Sequence, residues 1–399
     1  MTWKERIVLL ILASLNFTHI LDFMIMMPLG NFLMPHFNIT PRFFSWIVAG
    51  YPITAFLSGV ISAFYVDRFD RKKVLLFAYV GFLIGTVCCG IAADEYFLMA
   101  ARVLTGLFGG LIGAQVLSIV ADVFPYEKRG RAMSSIFMAF SAASIFGVPF
   151  SLYLAKIFSW HAPFLFIGLV GMLVIPFIVK FLPSVSGHII EVDKREPPIE
   201  VLKSIAGNKS QVIALTLTGM LMLGHFLIIP FINPFMEFNK GFNKSQTPMI
   251  YMVGGICALI SSFLVGRLSD KYGKFRVFVI AAVCSLFPII IITNLPAFPI
   301  ALVLAIFGFW FSASTSRNIP VQAMISTVVE PAQRGRFMSF NSSFQQLFTG
   351  FASLIAGLIV SSDSAGKLLH YDWVGYLSAA VVASTIYVGY VLAKRQRLK

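Results

Sequence analysis

From residue 7 to residue 393 the chain is a succession of apolar stretches, each about twenty residues long and divided by short connections. No other feature limits the fold as much. Wound as a helix, a stretch of that length spans the hydrocarbon core of a bilayer. Inside that core a backbone must satisfy its own hydrogen bonds, which a helix does. The spans are predicted at 7–33, 43–66, 74–92, 96–122, 132–157, 162–182, 211–236, 247–268, 276–294, 298–324, 337–361 and 374–393. Composition points the same way: 58% of residues are hydrophobic, 12% are charged, and the mean hydropathy is +0.85. A soluble protein has too little interior to hide that much apolar surface. The expected class is an all-α, multi-pass membrane protein, and twelve spans leave little of the 399 residues for a catalytic domain.

A formal charge of +14 raises the question of nucleic acid, and its distribution answers it. With an even number of spans both termini lie on one side. Arg42, Lys156, Lys240, Lys244 and Lys367 fall on the opposite side, Arg102 and Arg317 fall inside spans, and the rest of the 31 lysines and arginines flank the spans on the terminal side. That bias orients the chain with cytoplasmic termini. The charge is a topology signal and not a nucleic-acid footprint. The N-terminus opens with Lys4 and Arg6 before an apolar run, as a signal peptide does. The run is too long, carries Asp22 and lacks a small-residue cleavage site, so it reads as the first span. Cys88, Cys89, Cys257 and Cys284 lie within spans without ligand spacing, and no metal is expected.

An internal repeat organises the spans. Asp67-Arg68-Phe69-Asp70-Arg71-Lys72-Lys73 follows span two, and Asp270-Lys271-Tyr272-Gly273-Lys274-Phe275-Arg276 follows span eight. Arg129-Gly130-Arg131 recurs as Arg334-Gly335-Arg336 at a closely matching separation. Two loop motifs recurring between corresponding spans indicate two parallel six-span halves. The domains are therefore predicted as 1–182 and 211–399, joined by a polar cytoplasmic linker at 183–210 that contains Pro197-Pro198. Paired six-helix halves are a common plan for transporters, with substrate held near the midplane.

Several segments carry a family resemblance. Gly266-x-x-x-Asp270-Lys271-Tyr272-Gly273-Lys274 resembles the signature loop of the major facilitator superfamily. Arg102-Val103-Leu104-Thr105-Gly106 is similar to the arginine–glycine motif of proton-coupled members. Gly147-Val148-Pro149, Trp160-His161-Ala162-Pro163-Phe164 and Arg317-Asn318-Ile319-Pro320 look like the arabinose-efflux-permease and drug:proton antiporter group. The resemblance implies that fold: twelve transmembrane helices in two pseudo-symmetric six-helix bundles. It also implies a bacterial cytoplasmic (inner) membrane, a monomer as the default, and no cofactor beyond a proton gradient. The first loop departs from the pattern, with Ala63 and Asp70 where the second has Gly266 and Gly273. Aspartate tolerates left-handed backbone better than most residues, so the same turn is expected there.

Charges inside the bilayer cost about 2.5–3.5 kcal/mol each on insertion scales and so need a reason. Asp22 shares a sector of about 100° with Thr18 and His19, expected to face a central cavity. Two readings stand for Asp22: a proton carrier tuned by Arg102 and assisted by His19, or a structural carboxylate held by Thr18, His19 or Arg102. The resemblance implies the first role for Arg102. Arg317 either binds an anionic or polyhydroxylated substrate through its fork of donors or struts two helices. His225 either relays protons or is a neutral packed histidine, on a span that Pro230 and Pro234 interrupt. Gln115, Asn318, Asn341 and Gln345 are expected to line a substrate pathway or to bond neighbouring helices, Asn341 and Gln345 sharing a face. Gating is expected from Asp67, Arg71, Asp122, Asp270 and Lys274 as a charge lock, with Gly266 and Gly273 shaping the loop and Gly147 and Pro149 bending span five.

The expected function is proton-coupled export of a small organic molecule by alternating access. An uptake symporter or uniporter for a polar metabolite is the alternative. A receptor or membrane enzyme has no Ser/His/Asp, Cys/His or metal-spaced cluster in its favour.

Overall fold

The computed structural model describes residues 2–62, 66–124, 126–186, 198–330 and 334–397; the side chains of Asp67, Arg129, Arg131, Arg334 and Arg336 fall outside that description, as do linker residues 187–197. Long helices dominate. We number them α1 (Trp3–Met26), α2 (Pro41–Ser62), α3 (Arg71–Gly90), α4 (Glu95–Val123), α5 (Tyr126–Ala142, resuming as Val148–Ile157), α6 (Ala162–Phe181), α7 (Lys209–Phe226), α8 (Thr247–Tyr272), α9 (Lys274–Thr293), α10 (Ile300–Ser326), α11 (Arg334–Ile359) and α12 (Tyr371–Arg397). A two-residue hairpin, Ser361–Ser362 with Leu368–Leu369, joins α11 to α12.

Eleven of these segments are long and apolar enough to cross a membrane. The exception is α11, which has the length but carries Ser339, Asn341, Ser342, Ser343, Gln345 and Gln346 within about two turns. That polar stripe is the reason the eleventh predicted span is not apolar enough by the same measure.

Three predicted boundaries change. The first span was expected to be unbroken over 7–33, but α1 stops at Met26 and a short helix, Gly30–Phe37, begins after a turn at Pro28. Proline has no N–H to continue the ladder. Span seven breaks in the same way: α7 ends at Phe226, a tight turn at Ile229–Phe231 carries Pro230, and a wider π-turn at Phe235–Asn239 follows Pro234. The predicted linker holds a helix of its own, Pro198–Gly207.

The chain divides into two compact units by packing, and not by a single cut in sequence. The first comprises Met1–Met26 with Gly50–Val201, the second Met27–Ala49 with Leu202–Lys399. In the first unit α3 packs on α4 and α6, and α1 packs on α5 and α6. Leu12, Leu15, Tyr79, Phe82, Ile112 and Val116 form its core. Gly106 and Gly110 let α4 lie against α2: a Cβ on Gly106 would stand 2.3 Å from the Tyr51 carbonyl oxygen, and one on Gly110 2.3 Å from that of Ala55. Such stripes of small residues let helix backbones meet where no water drives association. Thr54 then bonds across the seam to the Val103 carbonyl at 3.0 Å.

In the second unit α10 packs on α8 and α9, α7 packs on α11 and α12, and α9 also packs on α12. Side chains repair the two proline breaks. Asn233 donates to the Pro28 carbonyl at 3.0 Å, and Tyr371 donates to the Ile228 carbonyl at 2.8 Å. Backbone groups freed in an apolar medium need such partners.

The outer faces fit a lipid solvent. Phe77 and Leu173 in the first unit are 65% and 63% exposed, and Phe263 and Phe287 in the second are 65% and 69% exposed. Many internal hydroxyls carry no message about function, because they bond carbonyls of their own helix: Thr105 to Ala101, Thr218 to Ala214, Thr293 to Ile289 and Thr349 to Gln345.

Candidate functional site

Two buried charged centres stand out, one in each unit. In the first, Arg102 Nη1 on α4 donates to Asp22 Oδ2 on α1 at 2.7 Å, and neither residue has any exposed surface. Tyr51 of α2 adds its ring face, with the guanidinium carbon 4.8 Å from the ring centroid. The close approach at Gly106 brings Tyr51 there. Of the partners considered for Asp22, Arg102 is the one that bonds it at this distance. Thr18 instead bonds the Tyr79 hydroxyl at 3.1 Å and carbonyls of its own helix. His19 makes no bond to Asp22 among the described residues; its ring lies 5.8 Å from Phe82 and 6.1 Å from Tyr51. The three residues share a sector as expected, and all are buried in packed surroundings.

The second centre is a cation without an anion. Arg317 on α10 has no exposed surface. Its Nη1 donates to Ser285 Oγ on α9 at 3.0 Å, while Nε and Nη2 have no partner. Among the described residues no carboxylate pairs with it. Trp310 and Ser314 precede it on the same face of α10 at positions i−7 and i−3. His225 of α7 stacks on Trp310, with ring centroids 5.0 Å apart and planes at 30°, and stands within Coulombic reach of Arg317. Trp310 Nε1, Ser314 Oγ and His225 Nδ1 are buried and unpartnered as well. Sequence reasoning found Arg317 and His225 but missed Trp310, Ser314 and Ser285. The i, i+4, i+7 spacing of Trp310, Ser314 and Arg317 is the signal that would have found the first two.

The two repeated loops fold differently. Gly273 takes φ +92, between α8 and α9, a conformation that side chains resist. Asp70 takes φ −57 and ψ 126, so the left-handed turn expected there is absent. Its carboxylate caps α3 instead, accepting from the Lys72 and Lys73 amides and from the Ser184 hydroxyl. Partial burial works against the Asp70 anion, but those donors and nearby Lys73 outweigh it and hold its pKa below the usual carboxylate value. Arg71 Nε lies 2.5 Å from Asp122 Oδ2. In the second loop Asp270 is exposed and makes no ion pair among the described residues, and neither does Lys274. The expected second lock is thus not formed here. Gly266 likewise meets nothing within 4 Å, so close packing does not account for it.

The remaining predicted positions are scattered. Gln115 lies in the first unit, buried with Oε1 unpartnered. Asn318 donates to the Ser314 carbonyl at 2.9 Å, on its own helix. Asn341 is buried with both amide atoms unpartnered, and Gln345, one turn on, is half-buried. Gly147 ends a π-turn at Ala143–Gly147 that interrupts α5, and Pro149 sits in the first turn after it. A Cβ on Gly147 would stand 2.7 Å from Leu21. No cluster of three His, Cys, Asp or Glu side chains suited to a metal occurs among the described residues.

Comparison with known proteins places the chain. Residues 12–320 and 217–398 match the family model described as Major Facilitator Superfamily. The uncharacterized MFS-type transporter YbcL of Bacillus subtilis (strain 168) is 26% identical over 321 residues, 79% of each chain. A probable sugar efflux transporter of Helicobacter pylori (strain J99) is 23% identical over 316 residues, 79% of this chain and 76% of that one. Among solved structures, a bacterial homologue of the human lysosomal transporter Spinster, in an inward-facing and occupied conformation, superposes with a TM-score of 0.76 at 14% identity. The match covers 99% of this chain and 98% of that one, a likeness of fold.

Proposed function

The chain belongs to the Major Facilitator Superfamily of multi-pass membrane transporters, and on that premise we propose that it exports a small organic molecule in exchange for protons. The observation that carries this reading is the buried Asp22–Arg102 pair. A carboxylate held at 2.7 Å by a guanidinium binds a proton only after that guanidinium moves off. Movement of α4 past α1 therefore exchanges an arginine for a proton at one carboxyl. Because α1 and α4 belong to the same unit, the exchange needs a shift inside the first unit that accompanies the rocking of the halves, and that rocking opens the carboxyl to each side in turn. The Arg71–Asp122 contact ties α3 to α4 inside the first unit, and the same internal shift makes it in one state of the cycle and breaks it in the other. Export, in place of uptake, draws support from the relative named for sugar efflux. The chain works as a monomer in a bacterial inner membrane, with both termini in the cytoplasm.

The test uses the full chain in proteoliposomes loaded with a pH-sensitive dye and given a panel of sugars, nucleosides and amphipathic drugs. A compound that wild type moves should also move protons the opposite way. Asp22→Asn should abolish that proton movement, and so should the charge-free pair Asp22→Asn with Arg102→Gln, which guards against a folding defect in the single variant. Proton-driven transport surviving in the double variant removes Asp22 from the mechanism. Proton movement in the same direction as substrate replaces export with uptake.

A further inference from the structure

The second unit buries a full positive charge and leaves it unanswered. Arg317 has no exposed surface, one donor occupied by an uncharged hydroxyl at 3.0 Å, and no carboxylate partner among the described residues. A buried charge without a counterion is costly, and proteins retain one chiefly where something else supplies the partner. The first unit shows the contrast, since Arg102 is answered by Asp22.

The pattern of free donors says what that partner is. Ser285 takes Nη1, and the two groups left are Nε and Nη2. Their N–H bonds run parallel along one edge of the planar guanidinium, spaced to meet both oxygens of a carboxylate at once. Ser314 and Trp310, one and two turns back on the same face of α10, bury a further unpartnered hydroxyl and indole N–H. His225 on α7 stacks over Trp310 and brings another unpartnered ring nitrogen. Apart from the bonded Nη1 and Ser285, each of these groups is buried without a partner, and most of them donate.

We infer that Arg317 is the anion-binding residue of the transport site and that the substrate is a small organic carboxylate, held side-on by Nε and Nη2. This rests on the reading of the chain as a carrier of a small organic molecule, and it adds the chemical class. Arg317 is shut away in the structure described, so the carboxylate reaches it in a state that opens the second unit.

Formate, the smallest carboxylate, is the probe, because no size limit excludes it. Thermal unfolding of the detergent-solubilised full chain is followed at constant ionic strength as formate replaces chloride, with formamide as the neutral control and inorganic phosphate as the rival anion. Wild type should gain a few degrees, dose-dependently, with formate and none with formamide, since a ligand bound only by the native state raises its stability. Arg317→Met should lose the formate response and unfold no earlier than wild type, because it removes an uncompensated charge. Arg317→Lys keeps the charge without the fork and should need at least tenfold more formate. The double variant Asp22→Asn with Arg102→Gln should keep the response, so failure of proton coupling is read separately from failure of anion binding. The inference is overturned by a wild type indifferent to formate, by a response to phosphate alone, or by a lysine variant as responsive as wild type. Earlier unfolding of Arg317→Met with no formate effect in wild type would make Arg317 a strut.

Discussion

Each unit of the molecule buries an arginine beyond the reach of water, and the two solve the resulting problem in opposite ways. Arg102 has Asp22 at 2.7 Å and the face of Tyr51 at 4.8 Å. Arg317 has one hydroxyl. The first interior is electrically balanced by its own residues, and the second is balanced only by something brought in. The same division separates proton handling from substrate recognition in the proposed cycle. The contrast also shows why two intramembrane arginines in one sequence should not be assigned one role.

Unfolding measurements test the contrast between the two arginines, and the largest effects come from the buried charges. Asp22→Asn leaves Arg102 uncompensated and should cost about 3–5 kcal/mol, as breaking a buried pair does. Adding Arg102→Gln should recover much of that loss, because the pair is coupled. Arg317→Met should cost nothing or raise the unfolding temperature. Equal losses from Asp22→Asn and Arg317→Met in thermal unfolding would erase the distinction between the units.

Next come the glycines, which differ in what surrounds them. Gly106→Ala forces a Cβ to 2.3 Å from a backbone oxygen and should cost about 1–3 kcal/mol by overpacking. Gly273→Ala should cost about the same, through a backbone conformation reserved for glycine. Gly266→Ala meets open space and should stay within about 0.5 kcal/mol of wild type. A large loss there would mean that the glycine packs tightly in a state other than the one described.

The smaller effect with a pH signature lies at Asp70. Asp70→Ala removes the cap of α3 and should cost about 1 kcal/mol. Its depressed pKa fixes the sign: the stabilisation is present above the ordinary carboxylate value of about 4 and fades as pH falls through and below it. Wild type and variant should therefore differ in unfolding temperature at pH 6 and converge toward pH 3. A difference that persists at low pH would assign the effect to the backbone and not to the carboxylate.

The long helices were legible because span length is a bulk property that apolar runs record directly. The interruption at Pro230 was legible from the proline itself, whereas the one at Pro28 was not read. Hydropathy continues across Pro28, and only the backbone ladder registers its missing N–H. Asp22 and Arg102 could be marked as costly charges, but their pairing across 80 residues depends on how α1 packs against α4. No local pattern states that. Asp70 misled for a physical reason: aspartate tolerates a left-handed turn but also caps helices, and Ser184 beside it favours the cap. The isolation of Arg317 could not be read at all, since it consists of what fails to lie near it.

That isolation has an electrical consequence. A single charge carried through a potential of 100 mV changes its energy by about 2.3 kcal/mol. The Asp22–Arg102 pair is neutral as a unit, so the membrane field exerts little net pull on it while it stays closed. The field does pull on Arg317 when its site is empty, and a bound anion cancels that pull. The empty and loaded forms of the second unit are thus different objects to the membrane voltage, and the voltage can drive one half of a transport cycle while leaving the other half alone.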